Sequence, residues 1–446
     1  MKSDLDEGTI FSLSTVFVLQ RARLLGLSGL YDVHVADSTI VSIRPTLSLE
    51  EPVATTPLLQ IGLSEAGRRS VSSADLQGRL LIPSFVDIHT HLDKALTLSY
   101  TENPSGTLAG AIEAFAAHED GITEEDIYER TIQTALMAVQ HGTTLLRTHL
   151  NYGRNGGMFA KSVSGITAAK RVLRDVIDIQ LVLMCPLEAQ ASVESILAEK
   201  ARFLTALGGA SHLSAHPREN LQWIVGLARK MDLSIDMHVD ETLNPAMRNI
   251  LDLVELAPTD DFALPTIAGH CVSLGAIPHA EVEEVCKRVA ERKIGVVTLP
   301  GSNLFLQARQ DTQDVRRGVT SIQALVRCGA QVAAASDNIQ DVFHPFGRGD
   351  LLDAAQLSAY LAHFQPAEAE QALRMVSSVP GYLATGREHE IEVGNIADMV
   401  VLDCPSALSA LQTLSPGRWT FKRGRLVSIL QQTKQFQIEN GIKLGV

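Results

Sequence analysis

The sequence predicts an α/β protein: a (β/α)8 barrel of the TIM type, with a small β-sandwich domain formed from both chain ends. Three observations carry this. From Leu80 to about Ala384, apolar strand-like runs alternate with longer amphipathic stretches, the pattern of repeated βα units around a parallel sheet. Eight such runs can be counted over about 300 residues, the usual scale of a barrel with insertions. The flanking segments, 1–79 and 385–446, read instead as short strands separated by turn material.

In chain order, the N-terminal part offers FSLSTVFVL at Phe11–Leu19, YDVHVAD at Tyr31–Asp37 and TIVSI at Thr39–Ile43, then a Pro/Thr/Ser-rich patch around Pro45–Thr56. The barrel strands are expected at Leu80–His89, Thr143–Leu150, Asp178–Cys185, Ser211–His216, Leu233–Val239, Pro265–His270, Ile294–Pro300 and Gln331–Asp337. Between them, DIYERTIQTALMAVQHG, AEVEEVCKRVAERK and SIQALVRCG repeat apolar residues at helical intervals. From about Glu388, IEVGNIADMVVLD and TFKRGRLVSIL return to short strands with Gly and Asp turns. These can pair with the N-terminal strands beside the barrel.

Length and composition narrow the function. The 446 residues, 45% hydrophobic and 20% charged, fit a globular protein with a sizeable core and exclude disorder. With 38 Lys+Arg against 51 Asp+Glu, the formal charge of -13 argues against a nucleic-acid or anionic-membrane surface, which needs concentrated positive charge. A small-molecule partner fits better, and a homo-oligomer is left open. No run approaches the roughly 18 apolar residues of a membrane span, and MKSDLDEGTIF lacks a basic segment followed by an apolar one, so a soluble cytoplasmic protein is expected. The cysteines Cys185, Cys271, Cys286, Cys328 and Cys404 are scattered without a CxxC, which signals buried thiols rather than disulfides or a Cys-rich zinc site.

The histidines carry the chemistry. His89-Thr90-His91 ends the first strand, and alternation along a strand puts residues i and i+2 on one face, so both imidazoles can converge on one ion. His238, His270 and Asp337 close strands five, six and eight, at the rim where barrel active sites assemble. Imidazole and carboxylate groups meeting there suit a divalent ion with N/O ligands and a position open to water. Glu241 follows His238 by three residues, within reach of that water without being a ligand. It reads as a proton shuttle, or as the acid at the start of the helix after VDETLNPAM.

These motifs together resemble the amidohydrolase superfamily, and within it the cytosine deaminase branch. The segments that carry the resemblance are PSFVDIHTHLDKALT, RTHL at Arg147–Leu150, HVDET, GHCVSL, LPGSNLFLQAR, RRGVTSIQALVRCG and SDNIQDVFHPFGRGDLL, with GNIADMVVLD near the C-terminus. The resemblance covers essentially the whole chain. It implies His89, His91, His238 and Asp337 as ligands of one divalent ion, Zn or Fe(II), Glu241 as proton shuttle, and His270 as a polarising group. Asp337 would serve as ligand and base. Strand four ends in His216 and not in a lysine, so the carboxylated lysine of binuclear relatives is absent and a mononuclear site is implied.

Two departures bear on substrate. Cytosine deaminases carry Pro-Gln-Glu-Gly after strand three, where this chain has Pro186-Leu187-Glu188-Ala189, and leucine cannot read a pyrimidine edge. They also follow the metal aspartate with a second aspartate, where this chain has Asn338, an amide that both donates and accepts. Gln307 and Phe343 are further pocket candidates, Phe343 either stacking on a ring or packing only. Asp93 reads as a group orienting a ligand imidazole or as a helix cap.

The expected function is a metal-dependent hydrolase, a deaminase acting on a C–N bond of an amino-substituted nitrogen heterocycle through attack of an activated water. Cytosine-like, isocytosine-like, oxidised-purine and triazine rings are compatible. A second enzymatic reading is hydrolysis of an N-alkylamino-triazine or cyclic amide. A third is a catalytically silent scaffold that keeps the fold.

Overall fold

The computed structural model describes residues 16–46, 73–258, 264–413 and 416–432. The start of the expected first strand and most of the Pro/Thr/Ser-rich patch lie outside these residues. Two units emerge. One takes the described residues up to Ser84, Val139–Thr144 and those from His389 onward; the other takes Phe85–Ala138 and Leu145–Glu388.

The first unit begins with β1 (Val16–Leu24), β2 (Tyr31–Ala36), β3 (Thr39–Pro45), β4 (Ser73–Asp75) and β5 (Leu80–Pro83). β1 runs antiparallel to β2 over Val16–Leu19, then shifts register before Ala22 with Arg21 at φ 53°, and pairs with β5 at Arg23 and Leu24. A bulge of this kind bends a strand, so β1 contributes to two layers. The barrel strands follow: β6 (Phe85–Thr90), β7 (Thr143–Leu150), β8 (Asp178–Met184), β9 (Ala206–Gly208), β10 (Ser234–Val239), β11 (Thr266–His270), β12 (Gly295–Thr298) and β13 (Val332–Ala334). β14 (Met399–Leu402), β15 (Arg418–Lys422) and β16 (Arg425–Leu430) then return to the first unit, where β14 pairs antiparallel with β5 and β15. The chain ends thus share one mixed sheet, folded over a core in which Phe17 stacks on Phe421 at 5.8 Å between ring centroids. This is the small sandwich domain that the sequence predicts from both chain ends.

β6 to β13 pair in chain order, and each pairing from β7 to β13 is parallel. The ring closes through the Thr90–Asp337 bridge, with the Asp337 N–H donating to the His89 carbonyl at 2.9 Å. Strands enclosed on both faces should be nearly continuous in apolar residues. Val86, Ile88, Ile267, Val297 and Ala333 supply one such buried cluster.

Two expected strands are corrected. Leu80–Pro83 belongs to the end sheet, and the barrel strand starts only at Phe85, because β5 takes its hydrogen bonds from β14 and β1. Strand four is Ala206–Gly208, whereas Ser211–Leu213 is a 3-10 turn and His216 an exposed residue ahead of the helix Pro217–Met231. Gly208 explains the placement. A Cβ there would stand 2.0 Å from the Asp236 carbonyl, so only glycine lets β9 approach β10 this closely. The chain then continues through Gly209 and Ala210 beside His238, so the end of strand four still carries no lysine.

Candidate active site

Alternation along three strands builds two polar layers inside the barrel. Arg147, Asp236 and Asp87 form the deeper one, and His149, His238 and His89, each two residues further on, form the one above. All six are buried. Arg147 donates from Nη1 to Asp236 Oδ2 at 2.8 Å, from Nε to Gln180 Oε1 at 2.8 Å, and from Nη2 to the Ala384 carbonyl at 3.1 Å. His149 Nε2 lies 3.6 Å from the other Asp236 oxygen.

In the upper layer the sequence-predicted residues meet. Nε2 of His238 lies 3.2 Å from Nε2 of His89 and 3.3 Å from Nε2 of His91. Asp337 Oδ1 lies 3.3 Å from His91 Nε2 and 3.8 Å from His89 Nε2. Four of the six pairs among these donor atoms thus lie 3.2–3.8 Å apart, and two overlapping triads, His89–His149–His238 and His89–His270–Asp337, bring their ligand atoms within 4.8 Å of one another. His91 is aimed by its other nitrogen, which donates to the His149 carbonyl at 3.1 Å and leaves the Nε2 lone pair pointing inward.

The backbone is strained where these side chains are presented. Asp240, His270, Cys271 and Asp337 all have φ between 49° and 69°, a region that costs non-glycine residues about 1–3 kcal/mol. Asp240 is held there by the Asn249 and Ile250 N–H groups at 2.9 and 3.0 Å, and His270 by Thr320, whose hydroxyl donates to its carbonyl at 2.6 Å.

Burial decides the charge states. It holds the His89, His149 and His238 imidazoles well below their ordinary value, with the neighbouring rings adding to the effect, and it lowers His91 together with Lys94. These rings are neutral, as ligands must be. Burial pushes Asp337 upward, yet among His91, His270 and His89 its carboxyl is held well below the ordinary value and is ionised. Ser302 donates to Asp337 Oδ2, whereas Oδ1 is buried without a hydrogen-bond partner. Burial raises Glu241 to about 7 against the pull of His270, whose Nδ1 is 3.7 Å from Glu241 Oε1 and 3.0 Å from Asn303 Oδ1. His270 Nε2 is buried and unpartnered.

Glu241 opens onto a cavity of about 500 Å³ that is also lined by Gln307, His212, Leu213, Thr107 and Arg309. Gln307 donates to the Glu241 carbonyl at 3.1 Å. The other expected pocket residues are more dispersed. Leu187 lines a second cavity, of about 310 Å³, with Asn151 and Glu188. Asn338 donates its amide to Asp341 Oδ2 at 2.7 Å, and Phe343 presents its ring to the buried Lys94, whose Nζ is 4.7 Å from the centroid. Asp93 neither caps a helix nor bonds a ligand imidazole among the described residues. It accepts from the Asn151 N–H at 2.9 Å, tying the HxH turn to the end of β7.

The sequence reading passed over several residues here. His149 stacks on His89 at 4.0 Å between centroids, and the strand-end rule could have flagged it within RTHL. Arg130, a helix residue 6% exposed, donates to the carbonyls of Ala95, Asp93 and Leu92 and so clamps the turn that carries Lys94. No local pattern announces it. No helix among the described residues is long and apolar enough to cross a membrane.

The model of the amidohydrolase family matches residues 80–445. Pterin deaminase of Rhizobium rhizogenes (strain K84 / ATCC BAA-868) is 27% identical over 406 residues, 89% of this chain and 87% of that protein. N-isopropylammelide isopropyl amidohydrolase of Pseudomonas sp. (strain ADP) is 26% identical, over 79% of this chain and 87% of that one. The 5-methylcytosine deaminase of Klebsiella pneumoniae liganded with 5-fluorocytosine superposes with a TM-score of 0.83 at 24% identity, covering 95% of this chain and 99% of that one. Deaminases thus stand among the relatives, in keeping with the motifs. The chain belongs to the amidohydrolase family, hydrolases of carbon–nitrogen bonds.

Proposed function

We propose that this protein removes an amino group, as ammonia, from an amino-substituted nitrogen heterocycle, using one divalent ion held by His89, His91, His238 and Asp337. The observation that carries the proposal is the spacing of the four donor atoms, 3.2 to 3.8 Å for the pairs given above. Ligands at about 2.0–2.1 Å around a tetrahedral ion lie about 3.3–3.4 Å apart. Neutral, buried nitrogens so close together, with an ionised oxygen that lacks a hydrogen-bond donor, suit a cation at their centre. His149 and His270 border this set, each completing a triad with two residues of the cluster, and the four named residues are taken as the ligands on the motif they share with the amidohydrolases.

A bound divalent ion supplies Lewis acidity, which makes water nucleophilic near neutral pH. Water adds to the ring carbon bearing the amino group. Glu241 takes a proton from the water and delivers it to the departing nitrogen; the C–N bond breaks, ammonia leaves, and the oxygen stays on the ring. A carboxyl raised to about 7 is matched to both halves of that transfer, whereas Asp337, far more acidic, is better suited to holding the ion. His270 meets the reacting centre with Nε2. The deaminases among the relatives support this reading, pterin deaminase extending it to bicyclic amino-oxo rings. A second reading, with an alkylamine as leaving group, is favoured by Leu187, which makes the smaller cavity partly apolar.

The test is ammonia release from pterin, guanine, cytosine, isocytosine and ammelide by protein loaded in turn with zinc and iron. Turnover of at least one ring, abolished by chelation, supports the proposal. Failure with every ring under both metals overturns it.

A further inference from the structure

His212 has no part in the chemistry above, yet its position is unusual. It sits in the 3-10 turn Ser211–Leu213, directly after the Ala210 bridge to His238, and lines the same cavity as Glu241 and Gln307. The side chain belongs to a residue only 9% exposed; its ring nitrogens make no hydrogen bond of good geometry, and the ring's polar contact is with the His238 backbone. A buried imidazole short of well-formed hydrogen bonds gives up its water partners with little return, which a ligand in the cavity would restore. A neutral imidazole there offers one N–H and one lone pair to whatever occupies the cavity.

We propose that His212 is a specificity-determining residue that hydrogen-bonds the polar edge of the substrate ring in the Glu241 cavity. This rests on the reading of the protein as an amino-heterocycle hydrolase. It also answers a difficulty in the sequence. Leu187, standing where the deaminase pattern has a ring-reading glutamine, lines the other cavity and cannot form hydrogen bonds. His212 restores a polar reader from the end of strand four, one residue before Leu213, which borders both cavities. Gln307 stands beside it with its amide nitrogen already committed to the Glu241 carbonyl, which leaves its oxygen to accept. The substrate class that suits this pair is an amino-oxo heterocycle carrying a ring N–H next to a carbonyl or ring nitrogen.

The experiment compares wild type with His212→Phe, which keeps a ring and removes the hydrogen bonds, and His212→Asn, which keeps a neutral donor and acceptor. KM and kcat are measured for the five rings named above on protein loaded with zinc and with iron, using for the variants the metal that supports wild-type turnover, with metal content and thermal midpoint as controls. For the best wild-type substrate, H212F is expected to raise KM about tenfold to a hundredfold, the scale of one lost hydrogen bond to a buried polar group, with kcat within about threefold. H212N should recover part of the loss, and metal content should be unchanged. An H212F KM within twofold of wild type, or a fall confined to kcat, overturns the proposal. So does a KM rise that H212N fails to reduce, since simple packing would explain it. A wild-type protein inactive on all five rings sinks the functional reading itself, a result visible before any variant is made.

Discussion

Replacing Arg147 with Met tests the layer on which the histidine cluster stands. The guanidinium and Asp236 are both fully buried, 2.8 Å apart. Removing the cation strands a buried carboxylate whose Oδ1 already lacks a hydrogen-bond partner. The Ala384 carbonyl keeps a donor, Gln180 Nε2 at 3.0 Å, so the loss concentrates on Asp236 and on Gln180 Oε1. Breaking one side of a buried pair costs about 3–5 kcal/mol. The chain has two tryptophans, Trp223 in the barrel and Trp419 in the other unit, so a W419F background leaves Trp223 to report barrel unfolding in urea. R147M in that background should lose about 3–5 kcal/mol at pH 8, and R147M/D236N should lose less than the sum of the single losses by about 2 kcal/mol, because no charge is left stranded. The cost should shrink at pH 5. Burial raises the Asp236 carboxyl to about 6 despite Arg147, so below that pH the group is protonated and there is less charge to strand. A loss under about 1 kcal/mol at pH 8, or strict additivity in the double variant, would refute this account of the layer.

Three further outcomes are expected. Glu241→Gln should lower kcat by about 10² or more with metal content unchanged, and in wild type kcat/KM should rise with pH through about 7 and then level, since the working base is the ionised form and burial raises its titration to about 7; near-native turnover in E241Q would mean another group moves the proton. Elemental analysis should find about one divalent ion per chain, and chelation should lower the thermal midpoint because the ion binds only the folded cluster; two tightly held ions would contradict the four-ligand site. Cytosine should be a poor substrate that Leu187→Gln improves, and cytosine ranking first in wild type would show that position 187 does not set specificity.

The sequence by itself determined those features that depend on local periodicity. Period-two alternation placed His89 and His91 on one face, and the strand-end rule singled out His238, His270 and Asp337, which the structure brings to one rim. β7 occupies Thr143–Leu150, the very residues read from the sequence, because an apolar run between an amphipathic helix and a turn leaves little freedom in its limits. Only tertiary structure decided the rest, since it depends on partners distant in the chain. Leu80–Pro83 reads the same whether it pairs within a barrel or with Met399–Leu402, and hydrogen bonds to a strand more than 300 residues away assign it. Strand four is brief and ends in a glycine because its neighbour's backbone approaches so closely, and a three-residue strand carries no period to read. The Arg147–Asp236 pair, the clamp of Arg130 on the HxH turn, and the buried ring of His212 arise where separate elements meet. Side-chain alternation is a property of one strand, whereas pairing, desolvation and the aim of a buried imidazole are properties of the packed whole.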